Sequence, residues 1–329
     1  MPYPLENKLV VGISGRALFD LSEEHEVFKK EGLGSYKKLQ RERENDPLNP
    51  GTGFPLVRGL LGINKKLGEA AVEVVVISQN DGDSGLRIMN SIKKHDLDIS
   101  RGSFCGGRNA DKYFRAYQCK LFLTAEEGDV CSVIGNGGAA ALVFPPPQGV
   151  EHDHDEVRIA FDADAVIFSN EADLIYKEKG LNEYYKSESE NAKIPLQPGP
   201  FKPFLQAISE IQSRFKPEDC PLRTAVVTAR NAPAHERAIR TLRDWKIATN
   251  EMHFLGGIDK TGVLQVFNPH IFFDDARENI SSCAMKLPAA QVVYEPSAPK
   301  KPATTAPLFP ESAPESSVPA SRGDSRTIA

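Results

Sequence analysis

The sequence contains no apolar run long enough to span a bilayer. It also has no excess of positive charge. Forty Lys and Arg stand against forty-five Asp and Glu, a net charge of −5, so neither a nucleic-acid polymer nor a membrane surface is expected as partner. The opening residues, Met1-Pro2-Tyr3-Pro4-Leu5-Glu6, lack the basic region and apolar core of a signal peptide. Cysteine is scarce and odd in number. Cys105, Cys119, Cys131, Cys220 and Cys283 show no metal-type spacing, so free thiols in a reducing cytoplasm are expected. What remains is the mix of a soluble globular chain, 40% hydrophobic and 26% charged, and 329 residues suffice for two buried cores.

The chain repeats itself at domain scale. Val11-Gly12-Ile13-Ser14-Gly15-Arg16-Ala17-Leu18-Phe19 resembles Ile159-Ala160-Phe161-Asp162-Ala163-Asp164-Ala165-Val166-Ile167, with Ser14 registered on Asp162 at an offset of 148. The same offset relates Gly32 to Gly180, Tyr36 to Tyr184, and Pro47 through Gly51 to Pro195 through Gly199. It then becomes 150, pairing Val76-Ile77-Ser78 with Val226-Val227-Thr228, Arg87 with Arg237, and Phe104 and Gly106-Gly107 with Phe254 and Gly256-Gly257. A period this long implies two α/β units rather than a solenoid. Shared Gly and Pro punctuation makes the likeness more than similar composition.

Each unit alternates apolar strands with amphipathic helices. In the first, strands are expected at 8–14, 72–78 and 120–124, and helices at 22–45, 56–67, 86–95 and 127–134. In the second, a strand ends at Asp162, a variable segment spans 171–201, and a helix covers 202–215. A strand at 223–228, a helix at 233–244 and a last strand reaching Phe273-Asp274-Asp275 follow. Such alternation implies parallel sheets with right-handed crossovers. The expected division is 1–147, 148–287 and a disordered Pro-, Ala- and Ser-rich tail over 288–329, with Pro145-Pro146-Pro147 and an acidic run as linker. His152 and His154 read as solvated linker residues, and Arg322-Gly323-Asp324 as coincidence.

Open parallel sheets bind ligands beyond the carboxyl ends of their strands. Asp162 with Asp164, Thr228, Lys260, and Asp274 with Asp275 fall at or near such ends in the second unit, where a charge beside an apolar strand needs compensation. One Asp-x-Asp would mean little. Four such features in order resemble the haloacid dehalogenase superfamily, which implies two Rossmann-like units here, the first degenerate, with a cap at about 171–201.

That resemblance implies roles. Asp162 is the expected nucleophile, forming an aspartyl-phosphate, and Asp164 protonates the leaving oxygen and then activates water. Thr228 holds the phosphoryl group and Lys260 offsets charge. Mg²⁺ is held by Asp162, Asp274, Asp275 near it, and the backbone carbonyl of Asp164. An acid at position 164 favours phosphoester hydrolysis over dehalogenation, because a halide leaves unprotonated and an alkoxide does not.

Four longer stretches look like the cytosolic 5′-nucleotidase type I family: Ile13 through Asp20, Ile77 through Arg87, Phe161 through Ser169, and His270 through Asp275. The likeness covers the chain to about residue 285. It implies Mg²⁺-dependent hydrolysis of nucleoside 5′-monophosphates, AMP prominently, by a homo-oligomer. The alternatives are a related phosphatase acting on another small phosphomonoester, and a nucleotide-binding sensor without turnover.

In the first unit Ser14, Arg16 and Thr124 stand where the second has Asp162, Asp164 and Asp274, and Ala110 falls opposite Lys260. It is therefore expected to be catalytically dead. Arg16, Asn80, Asp81, Asp83 and Arg87 are its candidate nucleotide contacts, either within the substrate pocket or at a regulatory site. The segment from Asn80 to Ser84 also fits a plain turn. Tyr176, Tyr184, Tyr185 and Phe201 in the cap segment are expected to pack rather than to stack on a base.

Overall fold

The structure is a computed structural model that describes residues 3–151 and 155–294. His152, His154 and the Arg322-Gly323-Asp324 tripeptide lie outside the described residues. The first half runs β1 (Leu9–Ile13), the single-turn α1 (Gly15–Leu18), β2 (Phe19–Asp20), α2 (Ser22–Glu42), β3 (Asn49–Pro50) and α3 (Phe54–Leu67). It continues through β4 (Val72–Ser78), α4 (Leu86–Lys94), β5 (Arg101–Phe104), α5 (Asp111–Ala116), β6 (Leu121–Thr124), α6 (Glu127–Gly135) and β7 (Ala140–Val143).

The second half begins with β8 (Val157–Phe161) and one irregular helical turn, then α7 (Glu171–Lys179), α8 (Leu181–Glu190) and α9 (Lys202–Gln212). It is completed by β9 (Leu222–Thr228), α10 (His235–Asp244), β10 (Glu251–Phe254), α11 (Lys260–Phe267), β11 (Ile271–Asp274), α12 (Arg277–Ala284) and β12 (Ala289–Gln291). Every residue of β1 and β4 is buried, as a strand covered on both faces requires.

Ten of the twelve described strands form one mixed sheet in the order β10-β9-β8-β11-β12-β7-β6-β1-β4-β5, and β2 pairs with β3 apart from it. Within each half the strands are parallel, with the first strand central, the order of a doubly wound fold. The halves meet where β12 pairs with β7, antiparallel, Ala290 opposite Val143 and Gln291 opposite Leu142. Strands of the two halves therefore run in opposite directions, and their carboxyl ends face opposite ways. β1 and β8 are separated by four strands, about 24 Å at the usual spacing.

Five short strands, β2, β3, β5, β7 and β10, escape the sequence reading and one is misread. β5 and β10 hold only four residues each, and their pleat-facing positions are half-buried, so alternation is weak. Residues 289–291, expected to open the tail, form β12 instead. Three residues are too few to show a period, but between β11 and β7 their backbone is fully paired and Ala289 and Ala290 are buried.

The segment between β7 and β8 joins two halves that share a core. One apolar core crosses the seam on a single face of the sheet, joining Leu56, Val57 and Leu60 of α3 to Val157 and Ile159 of β8, and including Phe204 and Ile208 of α9. Gly59 lets α3 sit this close, since a Cβ there would come within 2.8 Å of Val157 Cγ2. On the other face each half keeps its own cluster. Phe114, Val130 and Val133 cover the first, and Leu264, Phe267 and Ile280 the second.

The likeness of the halves extends to unusual backbone. Gly32 (φ 84°, ψ −177°) breaks α2, and Gly180 (φ 82°, ψ 176°) divides α7 from α8. Gly106 and Gly107 match Gly256 and Gly257, and Asp96 and Gln118 match Lys246 and Asn268, all at positive φ. Helices α7 and α8 of the expected cap segment thus have a counterpart in the kinked α2. Gly32 and Gly180 occupy a region nearly restricted to glycine, where a side chain costs about 1–3 kcal/mol. Gly180→Ala and Gly32→Ala are each expected to destabilise by that amount, additively in the double variant because the sites are far apart. Urea unfolding midpoints check this.

Candidate active site

The acids sit where strand geometry exposes backbone to ligand. Asp162 follows β8 directly, and its amide donates to the Phe273 carbonyl at 2.7 Å, which fixes it beside β11. Asp164 lies two residues on, in an irregular turn that continues through Ala165 at φ 59°. Asp274 ends β11 and is fully buried. Lys260 opens α11, whose first turn is capped by Asp259 accepting from the Thr261 amide at 2.9 Å.

Lys260 joins the two strand ends. Its Nζ lies 2.8 Å from Asp162 Oδ1 and donates to Asp274 Oδ2 at 2.6 Å. Asp274 is further held by the Ala276 amide at 2.8 Å and by Asn279 Nδ2 at 3.0 and 3.2 Å. Asp162, Asp274 and Asp275 each offer an oxygen within 4.8 Å of the others. One ammonium does not balance three acids. Burial pushes the Asp162 carboxyl well above the usual carboxylate range against the pull of Lys260, with Asp274, Asp275 and Asp164 adding to the rise. Burial and Asp274 push Asp275 up to about 7. On Lys260 burial opposes the charge, but Asp162 and Asp274 outweigh it, so its pKa is raised.

An all-oxygen cluster short of positive charge fits a hard divalent cation. The Asp164 carboxylate is not among these donors. It turns to Arg230, whose Nε and Nη2 reach its two oxygens at 2.8 and 2.6 Å. Thr228 Oγ1 accepts from the Arg230 amide at 3.1 Å, so the phosphate-binding candidate and Arg230 share one turn. Arg230 Nη1 also pairs with Glu188 of α8, and Arg237 reaches Glu188 at 2.8 Å and Glu171 at 3.1 Å.

Arg230, Glu188, Asn279 and Asp173 are absent from the sequence reading. Asp173, on α7, is partly buried. Burial and then Asp164 raise its pKa, and it in turn raises Asp275, so it faces the cluster. The signal for two of them was available. At the repeat offsets Arg230 faces Asn80 and Glu188 faces Gln40, the same kind of difference that separates Asp164 from Arg16. In the cap, Phe201 is fully buried against Phe273 at 4.8 Å between ring centroids. Tyr176, Tyr184 and Tyr185 form a run of ring contacts, and Tyr185 donates to Asn231 Oδ1 at 2.8 Å.

The first-half candidates lie elsewhere. Arg16 pairs with Glu126 at 2.5 Å, beside Ser14, Ser78 and Asn80, around a cavity of about 20 Å³, room for one water. Asn80 accepts from Tyr36 at 3.1 Å, Asp81 pairs with Lys37 and caps Ser84, and Asp83 bonds to Arg41 at 2.7 Å. Arg87 does not face a ligand position. It is buried and bonded to Glu24 at 2.6 Å, Gln40 at 3.3 Å and the Asp46 carbonyl at 3.0 Å. Because the two sets of strand ends face opposite ways, none of these residues joins Asp162 in one pocket of one chain. A cleft of about 410 Å³ at the seam, between the start of β1 and α9, holds none of the candidate residues.

Asp129 is 3% exposed and pushed up to about 6 by burial, with Gln79 and the Ala110 amide opposing. Its pKa is higher folded than unfolded, so the folded state binds the proton more tightly. Stability should therefore fall as pH rises from about 4 through 6, by up to about 3 kcal/mol. In Asp129→Asn that part of the pH dependence should vanish from urea titrations.

The 5′-nucleotidase family matches residues 1–298. Human cytosolic 5′-nucleotidase 1B is 33% identical over 287 residues, which cover 83% of this chain and 47% of that protein. The chain thus spans about half the length of the curated relative it matches. No solved structure matches the chain. The extent of the family match, with the relative's identity over most of the chain, places the protein in the 5′-nucleotidase family.

Proposed function

We propose that the chain hydrolyses nucleoside 5′-monophosphates, AMP among them, to nucleoside and phosphate in the cytoplasm, using Mg²⁺ and an aspartyl-phosphate intermediate. The observation that carries this is the Lys260 ammonium bridging Asp162 and Asp274 at adjacent strand ends, with Asp275 beside them and still too little positive charge. Family membership and the name of the human relative support the substrate class. Residues 148–287 carry the chemistry, and residues 1–147 form the degenerate half.

An Asp162 carboxylate oxygen, Asp274, Asp275 and the Asp164 carbonyl would hold Mg²⁺, which supplies charge neutralisation at the phosphoryl oxygens. Asp162 attacks phosphorus as the bond to the 5′-oxygen breaks, and Asp164 gives that oxygen its proton. Asp164 then takes a proton from the water that releases phosphate from Asp162. Thr228 orients the phosphoryl group by its hydroxyl, whose oxygen already accepts from the Arg230 amide. Lys260 favours the ionised form of the nucleophile against the effect of burial and lowers its repulsion for phosphate.

For Arg16, Asn80, Asp81 and Asp83 the opposed sheet edges favour the regulatory alternative, with a site that opens when the Arg16–Glu126 pair breaks.

Phosphate release over nucleoside monophosphates and sugar phosphates checks the reading. Nucleotides should be preferred, and EDTA should abolish turnover. Asp162→Asn should cost at least about 10³-fold in kcat, the scale of a lost covalent nucleophile. Activity surviving in Asp162→Asn would exclude the mechanism, and nucleotide binding without turnover would make the protein a sensor. Lys260→Met leaves two carboxylates buried without their cation and should destabilise by about 3–5 kcal/mol as well as abolish turnover, read by urea unfolding. Unchanged kinetics and effector response in Arg16→Ala would remove the regulatory site.

A further inference from the structure

Arg230 has the least exposed basic side chain among the ion pairs of the described second half. Its side chain is 1% exposed, and it joins the Asp164 carboxylate to Glu188, which is fully buried on cap helix α8. Glu188 is held in turn by Arg237, which also bonds the Ile194 carbonyl at 2.9 Å. A continuous line of buried charge therefore runs from α8 to Asp164.

The first half supplies an internal control. Arg237 corresponds to Arg87, which bonds Gln40 at 3.3 Å and Glu24 at 2.6 Å where Arg237 bonds Glu188 at 2.8 Å and Glu171 at 3.1 Å, so the arginine and one acidic partner belong to the fold itself. Arg230 and Glu188 correspond to Asn80 and Gln40, neutral residues, and they change together with Asp164, whose counterpart is Arg16. Packing around the common scaffold is thus met without Arg230 and Glu188. They are present only in the half that has the acid.

We propose that Arg230 is a positioning residue for Asp164 and that Glu188 fixes Arg230, so that proton delivery to the leaving oxygen depends on the seating of the cap helix. The proposal rests on the phosphatase reading above. In the structure both Asp164 oxygens are occupied by Arg230. For Asp164 to carry a proton, one of these bonds must open. Glu188 then remains as counter-charge, so the guanidinium stays in place and still holds the other oxygen. When the bond from phosphorus to the 5′-oxygen breaks, the Asp164 proton moves to that oxygen, and the carboxylate returns to its two-point contact with Arg230, the form that accepts a proton from water in the second step. A planar fork with two parallel donors gives an orientation that a lysine cannot supply.

The test compares a nucleoside 5′-monophosphate with its analogue carrying sulfur as the bridging 5′-atom. The thiolate departs with its electron pair and needs no acid. In a single turnover, Arg230→Lys should lower the rate of leaving-group release from the oxygen substrate by about 10²-fold, the scale of general acid catalysis, and from the sulfur substrate by less than about threefold. Glu188→Gln should show the same selectivity at about tenfold, and Asp164→Asn should set its upper limit. Circular dichroism establishes folding, and Glu188→Gln is decisive if Arg230→Lys does not fold. Folded variants that lose both substrates equally, or neither, would overturn the proposal. A wild-type protein that hydrolyses no nucleotide would instead overturn the phosphatase reading beneath it.

Discussion

Much of this architecture depends on the antiparallel pairing of β7 with β12, two strands of four and three residues. Parallel strands cannot close on one another without a long crossover, whereas an antiparallel edge pair needs only matching register. By meeting this way the two halves bury an edge that each would otherwise expose. The same contact allows α3 and α9 to share one core across the seam. It also reverses the direction of one half, which sends the two sets of strand ends to opposite edges. A single pairing therefore creates both the stability of the joined sheet and the isolation of the acidic site.

At that site the governing problem is buried charge. Asp162, Asp164 and Asp274 are all below 10% exposed, where an uncompensated carboxylate costs several kcal/mol. Lys260 answers for Asp162 and Asp274 from the first turn of α11, and Arg230 answers for Asp164 from the segment that follows the neighbouring β9. What stays uncompensated, mainly around Asp275, is the place suited to a divalent cation. The first half solves the same geometry without the problem. Ser14 and Thr124 carry no charge, and Arg16 has Glu126. Its strand ends consequently close to a cavity of about 20 Å³.

The strand-terminal acids were readable because a charge after an apolar run is conspicuous, and four of them in order are more so. The repeat was readable because Gly and Pro mark turns whatever the core around them. Gly32 and Gly180, paired by offset alone, do share one unusual backbone conformation. Arg230 and Glu188 were not picked out, since each is an ordinary charged residue in a helix or turn and their meeting joins positions 42 residues apart. Arg87 was misjudged for the converse reason. It lies near a strand end in sequence, but its side chain turns inward to Glu24 and the Asp46 carbonyl.

Local chemistry, then, settled what the sequence could settle. Periodicity fixed most of the alternation of strand and helix, and isolated acids after buried strands marked the candidate site, because both are properties of neighbouring residues. The tertiary structure decided what depends on distant ones. It decided that residues 289–291 are a strand, since only β7 and β11 on either side satisfy their backbone. It decided that the halves share a core rather than merely a linker. It also sent the first-half candidates to the opposite edge of the sheet from Asp162, because strand direction across a seam is a property of the pairing and is written in neither strand alone.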